Sequence, residues 1–428
     1  MSISRKTIEL IKTILILLLA LNGLFLAWRT GLFSDAIAAF PLIGNVAQFM
    51  RPTTSPEEPR ATITQEAARP ISIVITNEQG ERFGVRSDTA RKNSIYDSVV
   101  SIMGEAIGSA SNFDEISAQQ WREALSGPSV LFEYITPMNL QILIEWFGSG
   151  TSEIDEDAYV RHIFISFGED RSRLYFRQYP SGRYFGADTA STAGKAQELS
   201  NYLPNGALFA FEIGDMGHDN APYQLILPGT YHPDIRSDIA SSQQEMLETA
   251  LNVFGHYAEG LPTTYTSGDA IVGVGTQFNI RVSQDGQVLY RRTGAPEADV
   301  IEPDFTLSEL IELARVIVEN SVGEKSGEAE VKFEAIRYVD GIYTVYFGYY
   351  IAGGRVYLHE DRHAAVIAVA SGIVIDAELN FRSFFLSGDY TRLLPERQAL
   401  AAAGGEFILS YSDTGQELIH PAWARVWF

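Results

Sequence analysis

AEVKFEAIRYVDGIYTVYFGYYIAGGRVYLHEDRHAAVIAVASGIVIDAEL, residues 329–379, decides the fold class. β-Branched and aromatic residues recur here in short runs, and turn-forming residues such as Gly353-Gly354 and Ser371-Gly372 separate them. The pattern predicts strands at 329–338, 342–351, 355–359, 363–369 and 373–379. Strands this close in sequence pair antiparallel, because a parallel pair needs a long crossover between its strands.

Upstream, a helix opens on the capping box Thr306-x-x-Glu309, and Leu307, Leu310, Ile311, Ala314 and Ile317 form one apolar face. Before it, Met246, Leu247, Ala250, Leu251 and Phe254 give residues 241–257 the same helical spacing. Strands near 270–282 and 287–292 follow, joined by the turn dipeptide Asp285-Gly286. A helix followed by antiparallel strands thus occurs twice, which predicts two related α+β modules, 236–300 and 301–428. Past residue 379, a helix from Pro395 to Ala403 stops at Gly404-Gly405, and a hairpin of 406–411 with 417–419 closes the chain. Residues 71–235 are predicted to be a mixed α/β domain. Its strands are 71–76, 82–85, 129–135, 162–167, 173–178 and 208–213, and its helices are 96–106, 117–125 and 140–147.

The N-terminus is of another kind. Thr13 to Trp28 carries no charge, and with Lys12 snorkelling the usable length from Leu10 to Trp28 spans about 28 Å, close to a hydrocarbon core. Arg5, Lys6 and Lys12 precede the run and Arg29 follows it, so the expected topology is cytoplasmic N-terminus and extracytoplasmic main domain. The A-x-A-like site Ala36-Ile37-Ala38 lies too far beyond the apolar run for ordinary signal cleavage, which favours an uncleaved signal anchor over residues 1–30. Ala20, Gly23 and Ala27 make a small-residue face, and Asn22 places an amide in the hydrocarbon, where a partner helix would satisfy it. Residues 31–70 form a juxtamembrane segment and a stalk with Pro52, Pro56, Pro59 and Pro70.

Composition narrows the function. There is no Cys, which excludes disulfides, thiolate metal sites and thiol nucleophiles. The net charge is −22, and beyond residue 28 there are 29 basic against 53 acidic residues, a surface that repels nucleic acid and anionic lipid. His359-Glu360-Asp361-Arg362-His363 matches the zinc-protease pattern H-E-x-x-H, but the flanking runs are strand-like, so a polar hairpin turn is expected and no metal or cofactor. Tyr343, Tyr346 and Tyr350 would make a glycan-stacking platform only if exposed in a row; strand alternation favours sheet packing instead. Asp155, Glu156 and Asp157 are expected in a solvated loop. S-x-x-K, G-x-S-x-G and Walker A motifs are absent.

These pieces resemble the YycH/YycI family of Gram-positive bacteria. Leu21-Asn22 with Phe25-Leu26 is similar to the YycI type of anchor, while Pro421-Ala422-Trp423 is similar to the family's closing P-x-W pattern. The length is that of YycH, so the subfamily stays open. The resemblance implies a non-enzymatic, single-pass regulator in the cell membrane. Its partners would be the transmembrane helices and sensor domain of the cell-wall sensor histidine kinase WalK (YycG), or a sister regulator. It further implies a PepSY-like C-terminal module, with Pro421 and Trp423 as structural residues and Trp423 buried.

Overall fold

The structure, a computed structural model, describes residue 65 and residues 67–148, 158–168, 171–190, 202–213, 221–256, 262–294 and 306–425. The predicted anchor, most of the stalk and Asp155, Glu156 and Asp157 lie outside the described residues. The described residues belong to one unit, Pro59–Phe428. Among them, no helix is long and apolar enough to cross a membrane.

The first part of the unit begins with β1 (Ser72–Thr76), β2 (Arg82–Val85), α1 (Thr89–Gly108), β3 (Ser111–Ile116) and α2 (Ala118–Ser126). It continues with β4 (Ser129–Asn139), α3 (Leu140–Trp146), β5 (Tyr159–Phe167), β6 (Ser172–Tyr179) and β7 (Tyr184–Asp188). Asp88 caps α1 by accepting from the Arg91 N–H, which starts the helix seven residues before the predicted Tyr96. Ser117 and Gln120 close a capping box on α2.

The strands form a seven-stranded sheet in the order β2-β1-β4-β5-β6-β7-β3, antiparallel at every pairing. Its register explains why β1 and β4 are apolar without alternation. Val85, Ile73, Phe132, Ile163 and Phe176 lie in one row across the sheet, beneath α1 and α3. Val74, Leu131, Phe164 and Tyr175 lie on the opposite face, beneath Trp121 and Leu125 of α2 and against Phe209, Tyr223 and Leu225. Both faces are covered, so alternation has no value here.

A connecting stretch holds β8 (Leu208–Phe209), β9 (Leu225–Ile226) and β10 (Tyr231–Ile239). Residues 210–212, predicted as strand, instead make a 3-10 turn. The chain then runs through α4 (Gln243–Val253), β11 (Thr263–Ser267), β12 (Ala270–Val274), β13 (Phe278–Ser283), β14 (Gln287–Arg292) and α5 (Leu307–Val318). Next come β15 (Glu330–Val339), β16 (Ile342–Ile351), β17 (Gly354–Leu358), β18 (Ala365–Ala370), β19 (Ile373–Asn380) and β20 (Arg382–Arg392). The last elements are α6 (Glu396–Ala403), β21 (Phe407–Asp413), β22 (Leu418–Ile419) and β23 (Pro421–Arg425). The Thr306 capping box forms as predicted, and Gly404 ends α6 at φ +62°.

Eleven of these strands make one sheet, β11-β12-β13-β14-β19-β18-β16-β17-β21-β23, with β15 on the other side of β16. The strands of the two predicted modules are therefore continuous, joined where β14 pairs with β19 from Gln287↔Asn380 to Arg291↔Asp376. One face is covered: Leu247 and Leu251 of α4, and Leu310, Ile311 and Ala314 of α5, share a core with Ile280, Tyr290, Ala377, Ile367 and Val345. The other face alternates out. Arg281, Leu289, Glu378, Val366, Tyr346 and Ala335 form one row on it, half-buried to exposed.

Two predicted pairings are corrected. β17 and β18 do not form a hairpin with each other; each pairs with a different part of β16, and β17 continues parallel to β21. The closing hairpin is β21 with β23, because Leu418–Ile419 pairs with β10 instead. β10 also pairs with β20, giving a three-stranded sheet β20-β10-β22.

Candidate functional site

The H-E-x-x-H motif forms no helix. His359–Asp361 is a turn in which Glu360 and Asp361 adopt φ of +61° and +56°. A helical turn that would put both His on one face is thereby excluded. Glu360 pairs with Arg362 at 2.8 Å, and Arg362 also reaches Asp285 at 2.6 Å. His359 is exposed, whereas His363 Nδ1 lies 2.9 Å from Glu334 Oε2. Among the described residues, no group of three or more His, Asp or Glu side chains is placed to hold a metal ion. The zinc-protease reading is not supported.

The aromatic platform fails as well. Tyr343 and Tyr346 are half-buried, while Tyr350 is buried and its hydroxyl donates to Glu334. Arg355 Nη2 donates to the same Glu334 at 2.6 Å. Burial alone would push the Glu334 carboxyl up; the His363 hydrogen bond, the Arg355 guanidinium and the Tyr350 hydroxyl together hold it below the usual range. The rings thus enclose a structural ion network and give no stacking row.

Trp423, expected to be buried, is half-buried. Its ring meets His232 and Phe407 edge-on, each at 5.1 Å, and its Nε1 donates to Leu394 O at 2.9 Å. Pro421, buried, opens β23 opposite Tyr411. Ala20, Asn22, Gly23 and Ala27 lie outside the described residues.

Sequence reading missed a buried polar seam where the first sheet meets the C-terminal strands. Glu133 accepts from Ser72 Oγ and, at 3.1 Å, from Arg161 Nη2; Arg161 also donates to Tyr134 O at 3.0 Å and pairs with Glu406. His162 Nε2 is 3.6 Å from Glu133 Oε1. Register shifts in β4 and β5 at this point turn the side chains inward. Beside them, Arg86 pairs with Glu396 at 2.9 Å, and Glu396 accepts from the Leu227 N–H at 2.9 Å. Burial drives the His162 pKa down against the pull of Glu133, which disfavours the charged imidazolium. Charges in an otherwise apolar strand were the only signal, and a single sequence does not show that they meet.

An exposed apolar patch lies on the three-stranded sheet. Phe385, Arg236 and Leu418 stand side by side across it, with Tyr231 and Tyr390 further along, all exposed; Leu386, opposite buried Ile235, belongs to the other face. Contiguous exposed apolar side chains mark contact surfaces more often than scattered ones do.

No protein-family model matches the sequence, and no curated protein matches it. Among solved structures, YycH from Bacillus subtilis superposes with a TM-score of 0.55 at 13% identity, covering 84% of this chain and 94% of that one. The resemblance drawn from the anchor and the closing motif meets this independent likeness in three dimensions: the chain has a YycH-like fold.

Proposed function

We propose that the chain is a non-enzymatic, membrane-anchored regulator that binds and tunes a cell-wall sensor histidine kinase. The observation that carries this reading is the shared fold over nearly the whole of YycH. The apolar run from Thr13 to Trp28, with its polar Asn22, supports a single-pass anchor with cytoplasmic N-terminus that packs against kinase transmembrane helices through Ala20, Asn22, Gly23 and Ala27. The C-terminal helix and hairpins are a PepSY-like module in this reading. The patch of Tyr231, Phe385, Tyr390 and Leu418 around Arg236 is the face offered to the kinase's extracytoplasmic domain, an apolar area with a basic centre on a strongly acidic chain. Contact biases the kinase by favouring one of its two signalling states.

A bacterial two-hybrid assay of the full chain with the cognate kinase tests the proposal. Asn22→Leu and Gly23→Ile should each weaken association without loss of insertion, the interhelical amide contact being worth about 1 kcal/mol. Phe385→Ser with Tyr390→Ser should weaken it further. Full association in all these variants rules the proposed contacts out.

A further inference from the structure

A cleft of about 240 Å³ opens between α3, α5 and the start of β15. Its apolar wall is Trp146, Val318, Phe333 and Phe347, and its polar wall is Arg69, Arg315, Glu319, Glu330 and Lys332. Three features set it apart. The chain at Glu319–Gly323, along one rim, is π-helical, a distortion frequent at functional sites. Trp146 is 2% exposed, and its indole Nε1–H has no acceptor among the described residues. A buried donor left unpaired is costly unless something completes it.

The third feature is charge. Glu330 Oε2 lies 2.8 Å from Lys332 Nζ and 3.8 Å from Lys92 Nζ, while Arg69 adds a third positive charge to the same surroundings. Lys92 is 3% exposed and sits beyond hydrogen-bond reach of that carboxylate. Burial, with Lys332 beside it, pulls the Lys92 pKa down to about 8, and the cations hold the Glu330 carboxyl down to about 2 against its own burial. In a chain of net charge −22, the wall of this cleft thus carries three cations, Arg69, Arg315 and Lys332, against two carboxylates, Glu319 and Glu330, with Lys92 behind Glu330; Arg315 is held by Glu312 and Glu319, and Arg69 reaches Asp97 only at 3.5 Å.

We propose that this cleft binds a small organic anion, a carboxylate with an apolar body. Its carboxylate would answer the cations grouped at Lys332 and Arg69, and its apolar part the wall of Trp146, Phe333 and Phe347. Inorganic phosphate lacks the second half and a neutral alcohol the first. The proposal goes beyond the regulatory reading and stands whether or not the chain touches a kinase.

Isothermal titration of the full chain in lipid nanodiscs, with hexanoate, hexanol and inorganic phosphate as probes, tests it. Hexanoate should bind saturably and more tightly than either of the others. Lys332→Gln should weaken hexanoate about tenfold by removing one charge-assisted contact. Glu330→Gln should strengthen it by a similar factor, because the built-in competitor for the cations is neutralised. This opposite sign separates site chemistry from damage to the fold, since an unfolding variant cannot gain affinity. Hexanol or phosphate binding as tightly as hexanoate, or both variants binding it like the parent chain, overturns the proposal.

Discussion

The first sheet is covered on both faces and the second on only one. In the first, the middles of β1 and β4, Ile73–Ile75 and Val130–Phe132, are apolar without a break, because Ile73 and Phe132 meet α1 while Val74 and Leu131 meet the side of α2. In the second, β13, β14 and β18 alternate: Ile280, Val288, Tyr290 and Ile367 face α4 and α5, whereas Arg281, Leu289 and Val366 face away. The first sheet has little freedom to change without loss of stability, and the second keeps much of one face free for change away from Tyr350, which packs on Ile71 and Ile135. Function that evolves by contact has room on the second.

The comparison can be broken at its most enclosed point. Arg161→Leu strands Glu133 and Glu406 without their cation and should cost about 3–5 kcal/mol in urea denaturation. A loss under about 1 kcal/mol would mean that the seam is wet and the first sheet less closed than its burial implies.

Acid sharpens the contrast with a smaller effect. His162 has its pKa lowered in the folded chain, so the unfolded chain takes up the proton first. Stability should therefore fall as pH drops below the ordinary histidine value of about 6.5, by at most about 1.4 kcal/mol per pH unit for one proton. His162→Gln should flatten that part of the profile just below pH 6.5. An unchanged slope would place the acid sensitivity elsewhere.

The smallest effect belongs to the open face. Leu289→Thr puts a β-branched strand former at an outward position and should shift stability by less than about 0.5 kcal/mol. A loss of several kcal/mol would show that this face is covered after all.

The second sheet was largely legible in the sequence because one-sided burial writes itself as period two. The strand predicted at 342–351 is β16, and those predicted at 373–379 and 363–369 differ from β19 and β18 by one or two residues. Caps marked the helices at Thr306 and Gly404. β10, β20 and β3 were missed. β10 carries Pro233 and three charges, β20 is mostly exposed past Phe384, and the SNFDEI of β3 has no period at all. Which strand pairs with which was not legible, since β17 meets β21 through tertiary packing that no local pattern encodes. Of the candidate sites, the seam and the cleft depend on residues far apart in sequence, such as Arg161 with Glu406 and Lys92 with Glu330.

The pairing of β14 with β19 sets an order of events in time. As the chain is synthesised from its N-terminus, β11 to β14 can zip up as a meander under α4, but the mate for β14 is still to come. Arg291 meets Asp376 only 85 residues later. At about 5–20 residues per second, that leaves the half-built sheet with a bare edge for roughly 4–17 s. During that wait Val288 and Tyr290 are sheltered by α4, and Arg291 and Arg292 put two like charges at the end of the waiting strand. Like charges on an unpaired edge discourage a second nascent chain from docking there. Replacing them with threonine would leave the finished fold almost untouched, yet make a ribosome-bound intermediate prone to capture by its neighbours.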